Sequence, residues 1–296
     1  MKKKLIITGA SGFLGRKLCL KAVNCWNVYG QVNKNNFSQS GVSVFNIDLT
    51  SLTELKSFYL KIKPDAVIHT AAISNPNFCQ ENPEQSFKLN VESSISLAKL
   101  CSDFDIPFIF CSTDLVFNGL NPSYSENATP SPVNTYGKHK VLAEKEISRI
   151  YPGSLICRLP LMYGYPVSGN RGLKKMLKEL ASGKSLKLFS DEYRSPVSIE
   201  SATDGLLELL GKRNGILHLG GKESISRYNF GLLVAEIFGY SSKLIEKVLQ
   251  SDVPVSAPRA VNVTLNSQLA YSFGFNPGTI CEELKRIALD LKHWSD

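Results

Sequence analysis

A phenol and an ammonium stand four residues apart in Tyr136-Gly137-Lys138-His139-Lys140, a spacing that puts both on one face of a helix. Such a pair can move a proton. A free tyrosine has a pKa of about 10, and a neighbouring cation eases formation of its phenolate. Lys140 supplies that charge and is a candidate to hold a cofactor ribose. Thr113, in Cys111-Ser112-Thr113-Asp114, offers a hydroxyl to position a substrate oxygen. Tyr136 would then donate a proton to a carbonyl as hydride arrives on its carbon. Spacing alone is weak evidence, because Tyr59 and Lys63 repeat it. Thr113 also reads as a strand-end hydroxyl tied to backbone, and Tyr136 as the start of an amphipathic helix.

The second chemical feature is Thr8-Gly9-Ala10-Ser11-Gly12-Phe13-Leu14-Gly15. Its glycines permit a tight turn, close approach to a pyrophosphate and close helix–strand packing. The helix that follows offers free N–H groups and positive dipole character to phosphates. Gly9, Ser11, Gly12, Phe13 and Leu14 are therefore expected to bind a dinucleotide. The tip of the next strand separates NAD from NADP: a carboxylate there suits a ribose 2′-hydroxyl, a cation a 2′-phosphate. Gly30-Gln31-Val32-Asn33-Lys34 holds no carboxylate, which favours NADP(H) through Lys34, with NAD(H) still open and a solvated Lys34 the plain alternative. Asp48 and Leu49 are candidates to bracket an adenine, and Asp48 reads equally as a helix N-cap.

Both features need a particular scaffold. Short apolar runs at 5–7, 27–32, 42–47, 66–69, 108–111 and 155–157 alternate with helical stretches at 13–23, 52–62, 83–103 and 134–150. Near-continuous apolar strands between helices predict a parallel sheet covered on both faces. The expected fold is α/β, a doubly wound parallel sheet of Rossmann type. In such sheets ligands bind at the carboxyl ends of strands, which is where Thr113 falls and Tyr59 does not. After Leu161 the texture changes, with short strands expected at 186–189, 216–219 and 244–248. The division predicted is a dinucleotide-binding domain over 1–161 and a smaller α+β substrate-binding lobe over 162–296, with 197–210 packing back on the first.

The remaining composition narrows the class. Hydrophobic residues form 43% and charged residues 20%, ordinary for a globular chain, and 296 residues suit two joined lobes at about 150 residues per domain. The formal charge is +8, but the basic residues are scattered apart from Lys2-Lys3-Lys4 and a loose group from Arg171 to Lys187. No aromatic–basic stripe accompanies them, so nucleic acid is not expected as a partner. Seven cysteines without a Cys-x-x-Cys pair suggest a reducing cytoplasm. The four histidines lack metal-ligand spacing, and no metal is expected. The apolar start ends at Thr8-Gly9, too early for a signal peptide, and no run reaches membrane-span length.

On these motifs the chain resembles the extended short-chain dehydrogenase/reductases, and within them the dTDP-4-dehydrorhamnose reductase group. The resemblance is carried by Gly9 to Gly15, Pro64 to Ala72, Ser112 to Gly119, Tyr136 to Lys140 and Arg158 to Gly164, with weaker similarity through Arg194-Ser195-Pro196 and Ala257-Pro258-Arg259. It implies a Thr113–Tyr136–Lys140 catalytic triad and a cofactor groove lined by Ala71 and Ala72. Arg194 and Arg259 fall where relatives use basic residues near a nucleotide-sugar diphosphate, though either also reads as a surface arginine. Leu115 stands where the group usually has Tyr, which leaves the deoxysugar open. The function implied is NADP(H)-dependent reduction of a 4-keto nucleotide-deoxysugar. Epimerisation or dehydration on the same scaffold is the alternative, as is a cofactor-binding regulatory subunit similar to the methionine adenosyltransferase beta subunit. The expected partner is a nucleotide-sugar; membrane is not expected, and homodimer formation is open.

Overall fold

The computed structural model describes residues 2–165 and 172–293, so Arg171 of the basic group lies outside the described residues. Six strands form in chain order: β1 (Lys4–Thr8), β2 (Asn27–Val32), β3 (Val42–Asn46), β4 (Ala66–His69), β5 (Phe108–Thr113) and β6 (Leu155–Leu159). Together with Gly215–His218 they make one parallel sheet, ordered Gly215–His218, β6, β5, β4, β1, β2, β3. The chain starts in the middle, winds outward to β3, and resumes on the other side of β1. That reversal opens a crevice between the carboxyl ends of β1 and β4.

Alternation along each strand feeds two hydrophobic layers. Leu5 and Ile7 join one cluster, and Ile6 the other. The first layer is covered by α1 (Phe13–Ala22), through Leu14 and Leu18, and by the helix Ile199–Leu209, through Ala202 and Leu206. Lys17 and Lys21 of α1 pair with Glu200 of that helix, and Lys21 reaches Asp204 at 2.6 Å. The second layer is covered by α2 (Leu52–Ile62) and two further helices described next. Burial on both faces is what makes β4, β5 and β6 read as unbroken apolar runs.

Three elements depart from the sequence expectation. An unforeseen helix, α3 (Pro76–Glu81), is capped by Asn75, whose side chain accepts from Asn77 and Phe78 N–H. The single helix expected over 83–103 is α4 (Pro83–Phe87), a π-turn at Lys88–Glu92 and α5 (Ser93–Asp103). The wide turn carries the fully buried Asn90, whose amide meets both the N–H (2.9 Å) and the C=O (3.0 Å) of Ile73. A local helical pattern does not reveal such a tertiary demand. Finally, the strand expected at 216–219 in the second lobe is Gly215–His218 at the edge of the main sheet, paired with Leu155–Arg158. Two apolar residues, Ile216 and Leu217, look the same in either sheet, and only the return of Ile199–Leu209 onto α1 decides the choice.

The α6 helix (Thr135–Ile150) completes the first lobe, contributing Ala143 and Ile147 to the second layer. A third cluster lies between the helices Gly172–Ala181, Arg227–Ile237 and Ile280–His293. There Leu186–Phe189 pairs in parallel with Ile245–Val248; Leu244 ends a short 3-10 turn instead of opening the strand.

Candidate active site

A cleft of about 600 Å³ runs along the carboxyl ends of the central strands. At one end is the glycine loop. Gly9 has φ +64, and a Cβ there would stand 2.8 Å from the Ala71 Cα, so only glycine suits this turn. Gln31 fixes the loop from below: its Oε1 accepts from Gly9 N–H at 3.0 Å, and its amide donates to Ile47 C=O at 2.6 Å. Gly12 is the N-cap of α1 and offers no side-chain cap. The first N–H groups of α1 therefore face the cleft without a side-chain acceptor, the arrangement an anionic ligand fills. Gly9, Ser11, Gly12, Phe13 and Leu14 all line it, with Leu49, Ala71 and Ala72. This donor set fits a dinucleotide pyrophosphate.

The other end is built by β5 and α6. Asn134 caps α6 by accepting from Gly137 N–H at 2.9 Å, and its amide donates to Pro258 C=O at 3.1 Å. A Cβ on Gly137 would lie 2.2 Å from the Leu115 carbonyl oxygen. Glycine there lets the first turn of α6 press against the 3-10 turn Asp114–Val116. Tyr136 and Thr113 thereby come to line one cleft wall, beside Leu115.

The electrostatics differ from the expectation at Tyr136. Burial pushes its phenol well up, and the neighbouring Cys79, Asp114 and Cys111 add to the shift; only contact with the Thr113 hydroxyl opposes them. The anticipated lowering by Lys140 does not act on this phenol, and desolvation holds it protonated, the form that donates. Lys140 is 1% exposed and does not form the cleft surface. Its ammonium sits 4.0 Å from the Phe110 ring centroid, and burial lowers its pKa to about 8 despite the nearby Cys111 and Glu144. Thr113 is tied to its local chain and also faces the cleft. Its hydroxyl accepts from Leu115 N–H at 3.2 Å and donates to Asp114 at 3.1 Å, yet it lines the cleft.

Arg194 lines the cleft and is buried between two carboxylates, 3.1 Å from Asp114 and 3.2 Å from Glu192. Arg259 is partly exposed and reaches the other oxygen of Glu192 at 3.2 Å. It stands outside the cleft lining. Sequence reading missed two members of this group: Glu192, only two residues from Arg194, and Arg227, whose approach depends on how the second lobe folds. Arg227 lies close enough for Glu192 to counter the effect of burial on its guanidinium. Tyr59 is buried in α2, within the second hydrophobic layer and away from the cleft. Two further candidates are drawn elsewhere: Lys34 is exposed and outside the lining, and Asp48 turns its carboxylate to the Thr50 N–H and hydroxyl at 2.9 and 2.7 Å. Asn33 and Asn35 line the cleft where Lys34 was expected. Asparagines after a strand carry no signal that would have marked them.

Behind Thr113 lies a polar network that the sequence did not disclose. The Arg158 guanidinium grips Glu144 at 2.8 to 3.2 Å, and Ser112 donates to the same carboxylate. Arg158 also donates to His218 Nε2 at 3.2 Å.

Comparison with known proteins bears on the family and the fold. Residues 3–292 match the family described as RmlD substrate binding domain. Methionine adenosyltransferase 2 subunit beta of Xenopus laevis is 29% identical over 287 residues, covering 94% of this chain and 84% of that protein. A probable low-salt glycan biosynthesis reductase of Haloferax volcanii is 28% identical over 264 residues, covering 86% and 87%. Among solved structures, dTDP-4-dehydrorhamnose reductase of Bacillus anthracis in complex with NADP superposes with TM-score 0.87 at 21% identity, over 98% of this chain and 100% of that one.

Proposed function

Because the chain belongs to the RmlD substrate binding domain family, we propose that it reduces the 4-keto group of a nucleotide-deoxysugar, with NADP(H) preferred over NAD(H). The observation that carries this reading is one cleft lined by an uncapped glycine-loop helix at one end and by Thr113 and Tyr136 at the other. A nicotinamide dinucleotide, when bound, supplies the hydride. The α1 N–H groups and Gly12 hold its pyrophosphate, and Ala71 and Ala72 wall the groove.

Thr113 and Tyr136 present hydroxyls to the substrate oxygen, and Tyr136, kept protonated by burial, donates its proton as negative charge develops there. Lys140 lies behind this wall; its ammonium stabilises the phenolate left after transfer, when a charge has appeared that the resting site lacks. Arg194 and Arg259 hold the substrate diphosphate, Arg194 remaining braced by Asp114 and Glu192. Leu115 presents an apolar side chain to the sugar.

A panel of nucleotide 4-keto sugars, tested for cofactor oxidation by the isolated protein, examines this function. Steady oxidation with at least one sugar is expected. The match to methionine adenosyltransferase 2 subunit beta favours a second reading, a cofactor-holding regulatory subunit. A silent panel together with a stable stoichiometric complex with a larger enzyme would replace the first reading by the second.

A further inference from the structure

Three cations stand on α1: Arg16, Lys17 and, in its last turn, Lys21. Lys17 and Lys21 are neutralised by Glu200 and Asp204 across the helix pair. Arg16 is not: among the described residues no carboxylate reaches its guanidinium. It is nevertheless held in place. Its Nε donates to the Ser11 carbonyl at 3.2 Å, and the guanidinium carbon lies 4.7 Å from the centroid of the Phe37 ring. Phe37 is itself packed against the first hydrophobic layer. Stacking on an aromatic face leaves the guanidinium edge free for an anion, and one Nε bond fixes its direction.

The surroundings identify the anion. Ser11 lines the cleft, and its hydroxyl accepts from the Asn35 amide at 3.4 Å, which joins the glycine loop to the segment after β2. That segment is where a dinucleotide's adenosine ribose is recognised. It presents Val32, Asn33 and Asn35 to the cleft and no carboxylate, so nothing there repels a phosphate or claims a 2′-hydroxyl as an acid would. Neither Lys34, the cation expected for this task, nor Arg16 lies in the cleft lining, but Lys34 is exposed, whereas Arg16 is half-buried and bonded to the cleft-lining Ser11.

We propose that Arg16, stacked on Phe37 and bonded to Ser11, is the residue that recognises the adenosine 2′-phosphate and so sets the preference for NADP(H). The proposal rests on the reading of the cleft as a nicotinamide dinucleotide site. Arg16 supplies a charged, preoriented donor pair that a ribose 2′-hydroxyl cannot use fully, whereas a phosphate can take both N–H groups. The neighbouring amides of Asn33 and Asn35 offer neutral donors to the same oxygens.

The test is calorimetric titration of the full chain with NADPH and with NADH, for the wild type, Arg16→Gln, Arg16→Lys and Lys34→Gln. Thermal melts of each variant verify the fold. Arg16→Gln should raise the NADPH Kd by about 10- to 100-fold, the range of a lost charge-assisted contact. Its NADH Kd should stay within about 2-fold, since the Ser11 loop persists. Arg16→Lys should fall between, keeping the charge without the fork. Lys34→Gln should shift NADPH binding by less than about 3-fold, as an exposed charge does. Equal weakening of both dinucleotides by Arg16→Gln, or no weakening, would overturn the proposal while leaving the cleft's cofactor reading intact. Tighter wild-type binding of NADH than NADPH would also overturn it. Binding of neither dinucleotide to the wild type would remove the cofactor reading itself, and the proposal with it.

Discussion

At the scale of single residues, Tyr136 and Tyr59 have the same neighbour spacing and opposite surroundings. Tyr136 lines the cleft, whereas Tyr59 is buried among Leu55, Phe58 and Ile62 of α2. Tyr136→Phe removes one hydroxyl while its ring still packs. Turnover should fall by about 10²–10⁴-fold, the usual contribution of general acid catalysis. Cofactor affinity should hold, because the phenol acts chiefly in the transition state. Tyr59→Phe should leave turnover unchanged. Steady-state kinetics beside a cofactor titration check both, and near wild-type turnover in Tyr136→Phe would withdraw its assigned role. Lys140 gives a separate expectation in the protein without ligand. Its folded pKa of about 8 lies below the ordinary lysine value of 10.5. Between these values the unfolded chain binds a proton that the folded one has released, so stability rises with pH across that window. Wild-type thermal stability should therefore gain on Lys140→Met from pH 8 upward, and parallel curves would contradict the burial argument.

At the scale of elements, the glycine loop separates folding from binding. Gly9 sits at φ +64 against Ala71, whereas a Cβ on Gly12 would meet only the Gly9 carbonyl oxygen at 3.1 Å. Gly9→Ala should lower stability by about 1–3 kcal/mol through strain in a left-handed position. Gly12→Val should leave the melting temperature near that of the wild type and abolish dinucleotide binding, by covering the α1 N–H groups. Calorimetric titration and thermal melts separate the two outcomes; unchanged affinity in Gly12→Val would sink the loop assignment. The opposite wall relies on a similar economy of space. Gly137 admits the Leu115 carbonyl to the first turn of α6, and the π-turn at Lys88–Glu92 aims Asn90 at Ile73, shaping the segment beyond Ala72.

At the scale of the whole molecule, two buried histidines tie the sheet together in their neutral forms. His69 lies between the Thr8 hydroxyl at 2.7 Å and the Ser94 hydroxyl at 2.9 Å. His218 accepts from Arg158 and directs Nδ1–H at the Tyr124 and Asn266 carbonyls, 3.1 and 3.2 Å away. Burial lowers both pKa values to about 3 from 6.5, with the charges of Lys140 and Arg158 adding respectively. Below 6.5 the unfolded chain takes up protons that the folded one refuses, so stability should fall as pH drops from 6.5 toward 3. His218→Gln should make this decline shallower, by up to about 1.4 kcal/mol per pH unit for one site. Urea unfolding at stepped pH measures the slope, and an unchanged slope would show that His218 is not one of the groups responsible.

The sequence by itself determined the alternating strands and helices, the glycine loop on α1 and the Tyr–Lys face of α6. These are local patterns: apolar period, capping residues and short spacings act through neighbours in the chain. Thr113 was legible too, since a parallel strand's carboxyl end faces the crevice whatever its partners are. Only the tertiary structure decided which strands share the main sheet, and therefore that Gly215–His218 flanks β6. It alone brought Asp114 and Arg227 toward Arg194, from segments separated along the chain. It also decided the protonation of the site. The spacing of Tyr136 and Lys140 suggested a lowered phenol pKa, but desolvation depends on every element packed around both groups, and that burial reversed the shift.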